Sequence, residues 1–150
     1  MDFNLTTEQQ QIREEIKKVC REFPDAYWRE IVGKKAYPDA FVRKLSEPGW
    51  LAALIPEEFG GTGLGITEAS IILEEINHSG GVATACHAQM YTMGTLLRHG
   101  NKEQKKRYLP KIASGELRRQ AFGVTDPNGG SESTRIQTTA TRKGDQYLIN

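Results

Sequence analysis

Phe122-Gly123-Val124-Thr125-Asp126-Pro127-Asn128-Gly129-Gly130-Ser131 is the stretch on which the reading of this chain turns. An aromatic and aliphatic run closes on a threonine, and an Asp-Pro turn, a glycine pair and a serine hydroxyl follow. The run from Gln120 to Thr125 predicts a short strand, and Asp-Pro and Asn-Gly predict the turn after it. A strand end leaves backbone N–H groups unpaired, and Thr125 adds a hydroxyl. Gly130 permits close approach to the backbone, and Ser131 offers a second hydroxyl. An ordinary strand-to-turn junction shares the first half of this pattern.

On the N-terminal side of this stretch the pattern is helical. Thr6 with Gln9 predicts a capping box, and Ile12, Ile16, Val19, Cys20 and Phe23 then fall on one helical face. Pro24-Asp25 ends that helix, and residues 27–37 show no clear period. Pro38-Asp39 starts a short helix with Phe41, Val42 and Leu45 inward, stopped by Pro48-Gly49. Trp50 to Ile55 is continuously apolar, and a glycine-rich loop follows from Pro56 to Gly63.

Thr67 is expected to cap the next helix, with Ala69, Ile72, Leu73 and Ile76 as its stripe and His78-Ser79-Gly80-Gly81 as its end. Val82 to His99 is rich in small residues and poor in charge, which predicts a helix buried on most sides. Asn101 with Gln104 caps a further helix carrying Tyr108, Leu109 and Ile112 inward and ending at Ser114-Gly115. Pro110 is expected to kink or partly unwind it. Beyond the opening stretch, Ile136 to Arg142 and Gln146 to Ile149 flank the turn signal Lys143-Gly144-Asp145 and predict a hairpin. The change of pattern falls near Glu116. It divides the chain into a helical domain, 1–116, and the start of a β-domain, 117–150.

Composition narrows the function. The formal net charge is +1 with 26% charged residues, so the strong basic excess of a nucleic-acid binder is missing. Lys105-Lys106-Arg107 is short and reads as a solvated helix face. No apolar run approaches the roughly 20 residues of a membrane span, and the polar N-terminus is neither a secretory signal nor an Arg-rich transit peptide. Cys20 and Cys86 have no metal or redox spacing and read as buried free thiols. A soluble cytoplasmic protein without a metal site is expected.

The opening stretch resembles the flavin-contacting signature of acyl-CoA dehydrogenases: aromatic, small, aliphatic, Thr-Glu-Pro, a variable residue, Ala or Gly, then Gly-Ser-Asp. Other segments resemble the same family in the same order. Leu5-Thr6-Thr7-Glu8-Gln9 is similar to its first-helix entry. Gly49-Trp50-Leu51 with Ile55-Pro56-Glu57-Glu58-Phe59-Gly60-Gly61 resembles its Pro-Glu-Glu-x-Gly-Gly loop. Asn101 to Pro110, closing on Ala113-Ser114-Gly115-Glu116, resembles its last helix before the β-domain. Thr138-Thr139-Ala140 and Tyr147-Leu148-Ile149-Asn150 resemble its following hairpin.

The resemblance implies a mainly α chain: the N-terminal helical bundle of the acyl-CoA dehydrogenase fold, then the first strands of its β-barrel-like domain. It reads as the front part of a longer flavoenzyme. The implied cofactor is FAD, contacted by Phe122, Val124, Thr125, Gly130 and Ser131. Phe122 stands where the family usually has Tyr, Asp126 where it has Glu, and Glu132 where it commonly has Asp. The implied substrate is an acyl-CoA thioester, near Ser131 and near Gln89, Met90 and Met93 on the helix over Cys86 to Gly94. The same helix residues also suit plain helix–helix packing. His87 reads as a satisfied core histidine.

The implied reaction is α,β-dehydrogenation: a carboxylate takes the α-proton, and the β-hydrogen leaves as hydride to flavin N5. The family's base lies in or next to its C-terminal helical domain. Glu74 and Glu75 point about 100° apart on their helix, so at most one faces inward, and neither is assigned a catalytic role. The resemblance also implies electron-transfer flavoprotein as electron acceptor, a homo-oligomer (dimer or tetramer) and a place in fatty acid metabolism. An acyl-CoA oxidase or flavin monooxygenase of the same fold remains open, as does a helical interaction module that binds no flavin.

Overall fold

The computed structural model describes residues 4–118 and 123–150. The chain divides into two compact units, residues 1–120 and 121–150. The first is helical. α1 (Thr7–Arg21) starts at the expected capping box: Gln9 N donates to Thr6 Oγ1 at 3.2 Å, and Thr6 N donates back to Gln9 Oε1 at 3.0 Å. The other end of the same amide, Gln9 Nε2, donates to Glu68 Oε1 at 2.8 Å, and Glu68 Oε2 accepts from Gly65 N at 3.0 Å. One glutamine therefore ties the first turn of α1 to the first turn of α4 (Ile66–His78). The Gln9 hydrogen bond comes first among the causes that hold the Glu68 carboxyl below its usual value. α1 and α4 pack on each other through Ile16 and Cys20 and through Ala69, Ile72 and Ile76, all buried.

α2 (Asp25–Gly33) occupies the stretch without a clear period. Pro24 precedes it with no side-chain cap, and Trp28 is its one fully buried residue. Phe23, Tyr27, Trp28 and Phe41 meet edge to face, with ring centroids 4.8–5.2 Å apart. Such pairs add about 0.5–1.5 kcal/mol each beyond the area they bury. α3 (Asp39–Ser46) buries Phe41, Val42 and Leu45, as its spacing predicts.

The apolar run after Gly49 is a 3-10 turn (Trp50–Ala52) that enters the core with Leu51, Ala52, Ala53 and Ile55. The glycine loop then folds back over it. Gly63 N donates to Ile55 O at 2.8 Å, and Leu64 N to Ala53 O at 2.7 Å. Gly60 takes φ +83°, and a Cβ on Gly61 would lie 2.0 Å from Ile55 O. The Pro-Glu-Glu-x-Gly-Gly pattern is thus a packing device, since only a residue without Cβ lets the loop lie on the Ile55 peptide.

α5 (Thr84–His99) and α6 (Lys102–Ala113) complete the unit. α6 carries the expected reciprocal box between Asn101 and Gln104, at 2.8 and 2.9 Å. Three expectations are corrected. α4 begins at Ile66 from Gly65 and Glu68, not from Thr67. α6 runs through Pro110 as one helix from Lys102 to Ala113, so of the two expectations there the partial unwinding does not hold. His87 is exposed rather than a core residue. No described helix is long and apolar enough to cross a membrane.

The second unit holds one antiparallel hairpin, β1 (Ala140–Lys143) and β2 (Gln146–Ile149), in the register Ala140↔Ile149 to Lys143↔Gln146. Gly144 turns it with φ +65°. β1 starts four residues later than its Ile136 expectation. The strand expected over 120–125 lies partly outside the described residues, and Gly123 to Thr125 is not strand.

Candidate functional site

The opening stretch sits in the second unit. Asp126 and Gly129 form a bridge, with Asp126 N to Gly129 O and Gly129 N to Asp126 O both at 3.2 Å. Pro127 and Asn128 make the tip of this tight turn. The Asp126 carboxylate does not point away into solvent. It accepts from Gln137 N at 2.6 Å, from Thr138 N at 3.0 Å and from Thr138 Oγ1 at 2.5 Å. The Thr138 hydroxyl foremost, and then the two backbone N–H groups, hold its carboxyl below the usual value. This clip was not read from the sequence. Its signal was available in the readiness of a turn Asp to accept backbone N–H groups, but its partners lie 11 and 12 residues away.

The clip leaves Val124, Thr125, Gly130 and Ser131 on the outside of one short loop, all exposed. Phe122 lies outside the described residues. Gly129 is buried, and a Cβ there would meet Arg135 O at 3.5 Å. A Cβ on Gly130 would meet nothing within 4 Å, and Gly130 does not use positive φ. The unit's own packing therefore gives no reason for glycine at 130. A ligand that must approach the peptide closely does. With two exposed hydroxyls beside it, the loop fits a group bearing a polar ring edge and phosphate oxygens.

Gln89, Met90 and Met93 belong to the other unit and are buried, Met90 and Met93 inside the apolar core. Gln89 Oε1 is shielded and has no hydrogen-bond partner among the described residues. The outward face of α5 carries Thr84, His87 and Thr95, and the His87 and Tyr91 rings meet edge to face at 5.2 Å. A cavity of about 330 Å³ opens beside it between Leu73, Asn77, Ala83, Thr84 and His87. A helix made of small residues has no apolar period to separate its faces, so the sequence did not show this side.

The two glutamates singled out from the sequence, Glu74 and Glu75, have structural partners, and both thiols are buried. Glu75 is buried and Glu74 is exposed, as their angular separation predicts. Glu75 Oε1 accepts from Ser79 Oγ at 3.0 Å, and Glu74 Oε2 pairs with Arg13 at 2.9 Å. Cys20 and Cys86 are free and buried. Burial raises the Cys20 thiol, and burial and then Cys20 push Cys86 up to about 12, so neither is poised as a nucleophile. The described residues hold no cluster of His, Cys, Asp or Glu able to bind a metal ion.

The acyl-CoA dehydrogenase N-terminal domain family matches residues 6–116. Among curated relatives, the short-chain-specific acyl-CoA dehydrogenase of Clostridium acetobutylicum is 33% identical, over all of this chain and 40% of its own length. The glutaryl-CoA dehydrogenase of Desulfococcus multivorans is 36% identical, again over all of this chain and 40% of that protein. Among solved structures, a glutaryl-coenzyme A dehydrogenase in complex with glutaryl-CoA aligns with TM-score 0.82 and 32% identity, over all of this chain and 39% of that one. This chain thus spans about two-fifths of the length of the relatives it matches. The family match over the helical unit and the relatives aligned over the whole chain show that this chain belongs to the acyl-CoA dehydrogenase family.

Proposed function

We propose that the full-length protein catalyses FAD-dependent α,β-dehydrogenation of an acyl-CoA thioester. One observation supports this most: the Thr125 to Ser131 loop exposes two hydroxyls and a glycine that its own unit does not require. When bound, FAD supplies the acceptor for the hydride that leaves Cβ. Phe122 and Val124 offer apolar surface to the ring. Thr125 donates its hydroxyl to the polar ring edge. Gly130 lets a diphosphate reach the backbone, and Ser131 donates to a phosphate oxygen and lies near the acyl-CoA.

On α5, the face of Thr84, His87 and Tyr91 is the one a substrate can reach. Gln89, Met90 and Met93 act on substrate from behind, by setting the position of that face. The α-proton base is proposed to lie outside these 150 residues, because Glu74 and Glu75 are engaged by Arg13 and Ser79. The remaining proposals are electron-transfer flavoprotein as acceptor, a soluble homo-oligomer and a role in fatty acid metabolism.

The test is optical. The full-length protein, desalted after exposure to excess FAD, should keep a stoichiometric flavin band, while the 150-residue chain alone should be colourless. Thr125→Ala in the full-length protein should weaken flavin binding by about 0.5–1.5 kcal/mol, the worth of one such hydrogen bond. A full-length protein that retains no flavin would support the interaction-module reading instead.

A further inference from the structure

We propose that the outward side of α6 is a docking face for an anionic phospholipid surface, met reversibly and through charge alone. Five of the chain's 20 basic residues and one of its 19 acidic ones fall within residues 98–107, so this stretch carries +4 while the other 140 residues carry −3. Arg98 stands in the last turn of α5, and Lys102 opens α6. The exposed positions of α6 carry Lys102, Lys106, Arg107 and Lys111 against one carboxylate, Glu103. At about 100° per residue these four cations fall in one half of the helix circumference, and the buried Leu109 and Ile112 in the other.

Other helices of this unit neutralise their lysines. Lys17 and Lys18 stand three residues after Glu14 and Glu15 and pair with them at 3.7 and 2.5 Å. Lys34 pairs with Glu30 at 2.6 Å. α6 is built the other way. Lys102 and Lys106 are four residues apart, as are Arg107 and Lys111, so like charges are stacked at the spacing where they repel. Lys102 also holds the first position of the helix, against its dipole. Among the described residues, Lys111 pairs with Glu116 at 3.0 Å, while Lys102, Lys106 and Arg107 form no ion pair. A face that needed only to be solvated would gain from interleaved carboxylates. This one lowers its repulsion by meeting an external anion.

The composition of the face selects among anions. Three of the four cations are lysines, which are depleted at specific protein interfaces, where arginine and aromatic anchors prevail. No exposed aromatic stands on α6 to stack on nucleic-acid bases, Tyr108 being half-buried. A layer of anionic headgroups requires neither. It attracts Lys and Arg alike, and clusters of about four to eight suffice. The apolar side of α6 is occupied in the core, so nothing is left to insert between acyl chains. The contact is therefore superficial and sensitive to salt. It needs no flavin.

The test is co-sedimentation of the full-length protein with vesicles. At low ionic strength it should sediment with equal parts phosphatidylcholine and phosphatidylglycerol, and not with phosphatidylcholine alone. Binding should fall steeply as salt is added. Lys102→Gln and Lys106→Gln should each weaken it about 5-fold, the scale of one basic residue at such a surface, and together about 25-fold. The double variant removes a repulsion, so its thermal midpoint should not fall below wild type. Lys17→Gln with Lys18→Gln lowers the net charge equally and should leave binding within about 2-fold.

Wild-type protein that stays in the supernatant would overturn the inference. So would binding indifferent to salt or to the Lys102 and Lys106 changes, or an equal loss in the Lys17 and Lys18 control. Tighter binding to duplex DNA or to polyglutamate, at equal concentration of charge, would overturn it too, by assigning the face to a nucleic acid or to an acidic protein.

Discussion

Asp126 and Thr138 hold each other twice, through the hydroxyl at 2.5 Å and the backbone N–H at 3.0 Å of the same threonine. With Gln137 N, these bonds fasten the turn that carries the proposed cofactor loop to the segment just before β1.

The sign of the pH dependence follows from the direction of the shift. The Asp126 carboxyl lies below its ordinary value of 3.8 in the folded chain. The clip is therefore complete above the unfolded value and is lost as pH falls through the folded one. Followed by NMR, the Gln137 and Thr138 amide shifts should titrate with a midpoint below 3.8. Asp126→Asn should abolish that titration and loosen the loop, because a neutral amide oxygen accepts more weakly than a carboxylate. A midpoint at or above the ordinary value would mean that the carboxylate does not hold these donors.

Two glycines should respond in opposite ways to one methyl group. Gly61→Ala places its Cβ 2.0 Å from Ile55 O and 2.5 Å from Ile55 Cβ, so the loop must lift off the core. A loss of about 3 kcal/mol or more is expected in urea unfolding, at or beyond the upper end of overpacking costs. Gly130→Ala meets nothing, and stability should stay within about 0.5 kcal/mol, as for ordinary surface changes. In the full-length protein, the same Gly130→Ala should weaken flavin binding.

Gln89 allows a test of burial against substrate contact. Its Oε1 is buried without a partner among the described residues, a state that is costly to maintain. Gln89→Met keeps the length and removes the unpaired oxygen, so the helical unit should gain about 1 kcal/mol in chemical unfolding. A loss of that size would mean that the amide makes a bond worth keeping.

How far the sequence could be read depended on where the partners of each residue lie. Thr6 with Gln9 and Asn101 with Gln104 cap their helices three residues apart, so α1 and α6 were visible from neighbours alone. α3 was visible because Phe41, Val42 and Leu45 keep one face. α2 was not, since a helix that fully buries only Trp28 has no period and Pro24 brings no capping side chain. Thr67 misled because the cap of α4 is a backbone N–H at Gly65 answered by Glu68, a bond that needs no side chain at its first position.

The candidate site divides in the same way. Its residues were legible as an ordered motif. The Asp126 clip was not, because its Thr138 partner lies 12 residues away. α5 was legible as a helix buried on most sides, but not its outward face, because small residues all round conceal which side faces out.

The capping boxes of α1 and α6 also bear on how the protein is made. Each is closed by residues three apart, so the start of each helix is set before any distant partner exists. Synthesis delivers the helical unit before the loop and hairpin. A nascent chain can thus set these helix starts, and dock α1 on α4, while later segments are still being added. The Gln9–Glu68 bond joins the two first turns and needs nothing C-terminal to α4 for its partners. The loop that is proposed to carry the cofactor is made after every residue of these two helix caps.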